Sequence, residues 1–276
     1  MFNKQIFLIF SLLLLSSKAQ SATLCGSLSQ GEILIGSAPN ATAVYFNQKP
    51  LPLNSNGNFL LALGRDEPSK GTLSIEYSDN TQNHNLEISP TKWDIQDIKG
   101  IPPRKVTPSD SDLREIEFEQ KLVRSAQQTT SNNNFWQQGF IMPLQGRISG
   151  KFGGQRIMNG VKKNPHAGTD IAAPAGTPIK SPAEGIITLA QPNLFYSGNV
   201  VIIDHGLGLH TIYAHLQTIN VKQGDTVKQG DIIGLVGKTG RATGPHLHWG
   251  ASANGTKFNP SSLLNINTAN DFCFNL

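Results

Sequence analysis

The chain has 276 residues, of which 38% are hydrophobic and only 15% charged. Its formal charge of +4 includes Lys4 and Lys18 near the N-terminus, so a chain trimmed of that segment carries +2, too small an excess for a nucleic-acid footprint. The apolar run Ile6–Leu15 is too short to span a bilayer.

That run follows Lys4 and precedes the small residues Ala19-Gln20-Ser21-Ala22, so residues 1–21 read as a secretory signal peptide cleaved after Ser21. Export is expected, to the periplasm first and the extracellular space second, with no stable membrane insertion after cleavage. Leu24 is too bulky before Cys25 for the usual lipidation signal. The two cysteines, Cys25 and Cys273, stand at opposite ends of the mature chain, and an even pair in an exported protein predicts a disulfide. Closing so long a loop adds roughly 5 kcal/mol in the chain-entropy account.

Residues 22–100 carry short alternating runs, Glu32-Ile-Leu-Ile-Gly, Ala43-Val-Tyr-Phe-Asn, Asn58-Phe-Leu-Leu-Ala-Leu and Thr72-Leu-Ser-Ile-Glu-Tyr. Turn clusters such as Asn54-Ser-Asn-Gly57 and Ser78-Asp-Asn80 separate them. This pattern predicts a small β-sandwich of immunoglobulin-like shape, serving as a spacer or docking module. His84 falls in a polar turn there and reads as structural. Residues 101–138 read as a linker. Ile101-Pro-Pro103 breaks the first module, Pro108-Ser109-Asp110 starts a helix running to about Gln128, and Thr129–Asn134 reads as a flexible joint. A plain spacer is the expected role of that helix; lying across a groove is the alternative. Residues 139–265 are Val/Ile strands punctuated by glycine, which predicts a mainly β, mostly antiparallel domain, and 266–276 form a tail.

Six of the seven histidines lie between His166 and His248. In an extended strand His246 and His248 share a face while Leu247 faces the core, and His166 and Asp170 share a face in strand or helix. Neutral imidazole with one carboxylate is the ligand chemistry of a zinc site with an open position, and His215 in Tyr213-Ala-His-Leu is placed for acid–base work. The residues alone read as a metallohydrolase.

These stretches stand in an ordered set: Gly154-x-Arg156, His166-x-x-x-Asp170, Pro174-x-Gly-Thr-Pro178, Ala183-x-Gly185, Asp204-His-Gly206, Tyr213-x-His215-Leu, Val227-x-x-Gly230 and Thr243-Gly-Pro-His246-Leu-His248. In this the chain resembles the LytM/lysostaphin-type zinc endopeptidases, over about Pro143 to Pro260. The resemblance implies one Zn2+ per chain held by His166, Asp170 and His248, with His215 and His246 as catalytic histidines. It implies peptidoglycan as substrate, cut in stem peptides or cross-links, in a groove along a β-sheet. The stretch from Arg156 to Pro165 is longer than the shortest form of the pattern and reads as a loop insertion at one groove wall. His205 reads as structural, His210 is unassigned, and Tyr213 and Phe195-Tyr196 are considered for the groove. A wall-machinery partner acting through the N-terminal module is a further expectation.

Three rivals are weighed against this. A non-haem iron oxygenase uses the same residue types but sets its first histidine and carboxylate two apart, not four. A lipoyl-type carrier shares the glycine corners near Gly224 but needs an exposed modified lysine in a tight hairpin. A non-catalytic LytM-type module that binds wall and activates other hydrolases is the main alternative, and the presence of all five site residues argues against it.

Overall fold

The computed structural model describes residues 21–276, with the side chains of 267–272 left aside. The leader expected over residues 1–21 lies outside the described residues, save Ser21.

Period-two alternation builds the N-terminal part. Strand Lys70–Glu76 buries Gly71, Leu73 and Ile75 and turns the residues between them outward. It joins a four-stranded sheet with Lys49–Leu51, Ala43–Phe46 and Thr81–Glu87, facing a second sheet of Cys273–Asn275, Thr23–Cys25, Ile33–Ser37 and Asn58–Ala62. Leu34, Phe59, Leu61, Val44, Leu73 and Ile75 fill the space between. His84 stands inside strand Thr81–Glu87, opposite Leu73, rather than in the turn expected for it.

The sandwich is not a detached spacer. The other face of its second sheet sends Ile33, Leu60 and Ala62 into the main core beside Trp136, Phe140 and Phe258. The C-terminal segment read as a tail supplies the sandwich's edge strand. Cys25 and Cys273 stand opposite each other in that pairing and form the disulfide, across a sequence separation of 248.

The long helix spans Asp110–Gln128. The Ser109 side chain accepts from the Asp112 backbone N–H and the Asp112 carboxylate accepts from that of Ser109, a capping box of about 1 kcal/mol. Leu122, Val123 and Ala126 pack on Leu189, Leu194, Val200, Ile202 and Ala214 of the large sheet. The joint after the helix is tied down: Ser131 N donates to Asp204 Oδ2 at 2.7 Å and Gly208 N to Thr130 Oγ1 at 2.7 Å.

That large sheet has ten strands, its main path running Thr226–Val227, Gly185–Leu194, Gly198–Asp204, Leu209–Ile219, His246–Ala253, Gly168–Ala172 and Arg147–Gly150. All pairings in it are antiparallel. One face packs Ile171, Tyr213, Leu247 and Trp249 into the core. The other carries the helix and the site. The segment Arg156–Pro165, expected as a loop insertion, contains the hairpin strand Val161–Lys162 paired with Gln155–Met158. That second strand also pairs, in parallel, with Ile95–Ile98.

Candidate metal centre and catalytic groove

Sheet register brings the ligand candidates together. His248 pairs with Asp170 on one side and with Ala214 on the other, so those three side chains share a face. His166 precedes strand Gly168–Ala172 and swings onto the same face. His166 Nε2, Asp170 Oδ1 and His248 Nδ1 lie 2.8–3.0 Å from one another. These three residues form the candidate metal-holding group among the described residues.

The donor chemistry of the triangle fits a cation. His166 Nδ1 faces the Lys151 carbonyl at 3.0 Å and so donates there, which leaves Nε2 with a bare lone pair. A neutral His248 brings at most one proton to the three mutual approaches. The lone pairs that remain need a positive centre between them, and two imidazoles with one carboxylate make a zinc-type set. Burial alone would push the Asp170 carboxyl up, but the His166 and His248 imidazoles that face it hold it well below the usual carboxylate range. Burial lowers His166 to about 4, which keeps its imidazole neutral, the form that binds metal.

Close approach is required here. A Cβ on Gly150 would sit 2.8 Å from Asp170 Oδ2, and one on Gly168 would sit 2.8 Å from the His248 ring and 2.4 Å from the Trp249 carbonyl. The local sequence pattern marks neither glycine. In sequence Arg156 stands out only as part of a motif; in the fold its guanidinium pairs with Asp170 Oδ2, with 15% and 11% side-chain exposure for the two partners. It leaves Oδ1 to face the histidines. The Gly154-x-Arg156 spacing was the one signal available for it.

His215 reaches the site by a backbone irregularity. In a regular strand it would share the core face of Tyr213, two residues earlier. The ladder with the neighbouring strand slips between Asn199 and Val201, and His215 takes φ +65°. That bulge re-aims the side chain onto the face of His248. Its ring lies 4.7 Å from that of His246 and 6.0 Å from that of His248. A non-glycine residue held in the left-handed region costs of order 1–3 kcal/mol and is concentrated at functional sites.

Both of these histidines have a fixed tautomer. His215 Nδ1 donates to the Thr239 carbonyl at 2.9 Å and His246 Nδ1 to the Gly244 carbonyl at 2.9 Å, so each presents Nε2 as an acceptor. His246 Nε2 is 3.8 Å from Asp170 Oδ1. Burial, helped by the charge of His246 and His248, lowers His215 to about 3, and it is neutral at ordinary pH.

A cavity of about 750 Å³ opens over the cluster, lined by His166, His215 and His248 and by Leu113, Ile116 and Gln120 of the long helix. The helix thus lies over the groove instead of serving as a plain spacer. Tyr196 also lines this cavity, whereas Tyr213 is fully buried with its hydroxyl on Thr211 Oγ1, outside the groove wall considered for it. His205 is buried, Nδ1 against the Glu184 carbonyl and Nε2 against Thr211 Oγ1, both at 2.7 Å, in keeping with a structural role. His210 Nε2 holds the Thr129 carbonyl at 2.8 Å, which ties the joint to the sheet.

Residues 164–260 match the model of Peptidase family M23. Over 98 residues the chain is 49% identical to the DD-carboxypeptidase/endopeptidase Mpg of Neisseria meningitidis, covering 36% of this chain and 22% of that protein. Over 104 residues it is 46% identical to the peptidoglycan DD-endopeptidase ShyA of Vibrio cholerae, covering 37% and 24%. The match therefore spans about a quarter or less of the length of these curated relatives. A crystal structure of a candidate peptidase M23 from Pseudomonas aeruginosa superposes with a TM-score of 0.64 at 25% identity, covering 87% of this chain and 96% of that one. The likeness to that structure takes in more of the chain than the family match does.

Proposed function

Residues 164–260 carry a domain of peptidase family M23, and from that premise we propose that the chain is an exported zinc metalloendopeptidase of the LytM/lysostaphin type that acts on peptidoglycan. On this reading it hydrolyses peptide bonds in stem peptides or their cross-links, and the activity named for ShyA, a DD-endopeptidase, is the first to assay. The observation that carries the reading is the convergence of three ligand atoms beside two histidines that are not needed to hold a metal.

His166, Asp170 and His248 would hold the zinc. When bound, the ion supplies Lewis-acid polarisation of the scissile carbonyl and lowers the pKa of the hydrolytic water towards about 7. The chain's own residues do the rest. Arg156 occupies Asp170 Oδ2, so the carboxylate offers Oδ1 in one orientation. Lys151 fixes the His166 tautomer through its carbonyl. His215 and His246 each take a proton at Nε2 and, once protonated, donate it to a developing oxyanion or leaving amine. The low pKa of His215 keeps it unprotonated and available as an acceptor. Leu113 and Ile116 cover part of the cavity and limit water around the bound peptide.

The signal-type leader and the Cys25–Cys273 disulfide support an oxidising, exported location, the periplasm by preference. No helix among the described residues is long and apolar enough to cross a membrane. A wall-machinery partner bound through the sandwich belongs to the same proposal. The test is digestion of muropeptide-defined peptidoglycan by the zinc-loaded chain, with products identified by mass. Release of new peptide termini, abolished by chelation and restored by zinc, is the expected result. Intact substrate with a folded, zinc-loaded chain overturns the proposal and favours the non-catalytic module.

A further inference from the structure

Cations dominate the walls of the cavity beside the metal cluster. Arg156, Lys162, Lys163, Arg241 and Lys257 line it, and the lining includes no aspartate or glutamate. Most of these are accounted for. Arg156 is held on Asp170, Lys163 Nζ donates to the Val106 carbonyl, and Lys162 and Lys257 are solvated.

Arg241 differs from them. Its backbone N–H donates to the Tyr196 carbonyl at 2.8 Å, and its guanidinium lies over the Tyr196 ring, 4.2 Å from the centroid. Among the described residues its side chain makes one hydrogen bond, from Nη1 to the Lys105 carbonyl, stretched to 3.5 Å. The acidic groups of this region have other partners: Asp112 pairs with Arg104, Glu119 accepts from Phe195 N, and Asp170 is held by Arg156. Burial works against the Arg241 charge, and no carboxylate is among the groups that offset it. An arginine does not lose its proton in a protein, so this half-buried charge stays on and lacks a counter-charge.

We propose that Arg241 is a specificity-determining residue that takes a free carboxylate of the peptide lying in the groove, so that the enzyme selects substrates with an unamidated carboxylate near the metal cluster. The inference rests on the peptidoglycan reading above and names the feature of such a peptide that the site selects. The physics is that of a preorganised fork. The guanidinium is planar, its orientation is set by the Tyr196 face, and its free N–H groups match a carboxylate two to two. Arg241 precedes His246 by five residues on the loop Thr239–His246, so a carboxylate held there fixes the peptide relative to a catalytic histidine. Hydrogen bonds to a charged group are worth about 10- to 100-fold in binding.

The test uses the full exported chain, zinc-loaded, and two defined cross-linked muropeptides that differ only in amidation of their free carboxylates. Cleavage is followed by mass and equilibrium binding by calorimetry. Wild type is expected to favour the free-carboxylate peptide about 10- to 100-fold, in KM and in Kd more than in kcat. In Arg241→Gln that ratio falls to near one, and in Arg241→Lys it is intermediate. A purely structural arginine would weaken both peptides alike and keep the ratio, which overturns the proposal. Equal use of the two peptides by wild type overturns it as well, whether or not the variants fold. If wild type cleaves neither peptide, the endopeptidase reading fails, and the binding ratio still decides on Arg241.

Discussion

Replacing His215 and His246 one at a time separates the chemistry of the groove from its metal. Neither residue belongs to the triangle of His166, Asp170 and His248, whose ligand atoms stand 2.8–3.0 Å apart, so each variant should retain one zinc per chain. Each presents Nε2 as an acceptor with its tautomer set by a backbone carbonyl, and the two rings are 4.7 Å apart. Removing a positioned acid–base group costs about 10²–10⁴-fold in rate, or about 3–5 kcal/mol of transition-state stabilisation. His215→Ala leaves the backbone at φ +65° and opens a void at a buried position, so some stability is lost with the activity. His215→Asn is the safer companion, because asparagine tolerates the left-handed region and keeps a polar side chain there. The assay is turnover of muropeptide-defined peptidoglycan per folded, zinc-loaded molecule, with zinc by elemental analysis and folding by circular dichroism. Near-normal turnover by both single variants refutes the assignment. Loss of zinc in His246→Ala would exchange the roles of His246 and His248.

Asp170→Ala should lower zinc occupancy and also strand the Arg156 charge, at about 3 kcal/mol of stability or more; adding Arg156→Met should recover the stability but not the zinc, as read by elemental analysis and urea unfolding. Removing both Cys25 and Cys273 should cost roughly 5 kcal/mol, because the bridge closes almost the whole mature chain; a urea midpoint that does not move between oxidised and reduced protein contradicts it. Burial lowers His205 to about 4 from its usual 6.5. The unfolded chain therefore binds the extra proton first, and stability that is full above pH 6.5 falls as pH drops towards 4, by roughly 3 kcal/mol from this residue. With metal chelated throughout, His205→Gln should flatten that window in urea unfolding, and an unchanged slope would show that His205 is not the group concerned.

Local chemistry made much of this protein legible. The strands of the sandwich follow from alternation, and the helix from Ser109 to Gln128 follows from a cap and a polar run, since both are set by neighbours in sequence. The pairs His246–His248 and His166–Asp170 could be placed on common faces because the strand period is two. Those residues point to a metal whatever surrounds them.

Only the tertiary structure decided the rest. His215 belongs by parity to the core face with Tyr213, and a bulge formed against the neighbouring strand turns it to the site. Arg156 meets Asp170, and Gly150 and Gly168 make room for the cluster, through contacts between strands that no single segment encodes. The sandwich reads as a separate module because each of its strands shows an inward face. That its outer face also enters the main core, and that the chain's last strand completes it, depends on segments more than a hundred residues apart. The helix was visible, but its place over the groove comes from packing against apolar residues of strands that follow it by sixty residues or more. Sequence determines faces and chemical types, because these depend on local period and side-chain identity. Which faces meet is determined by burial summed over the whole chain.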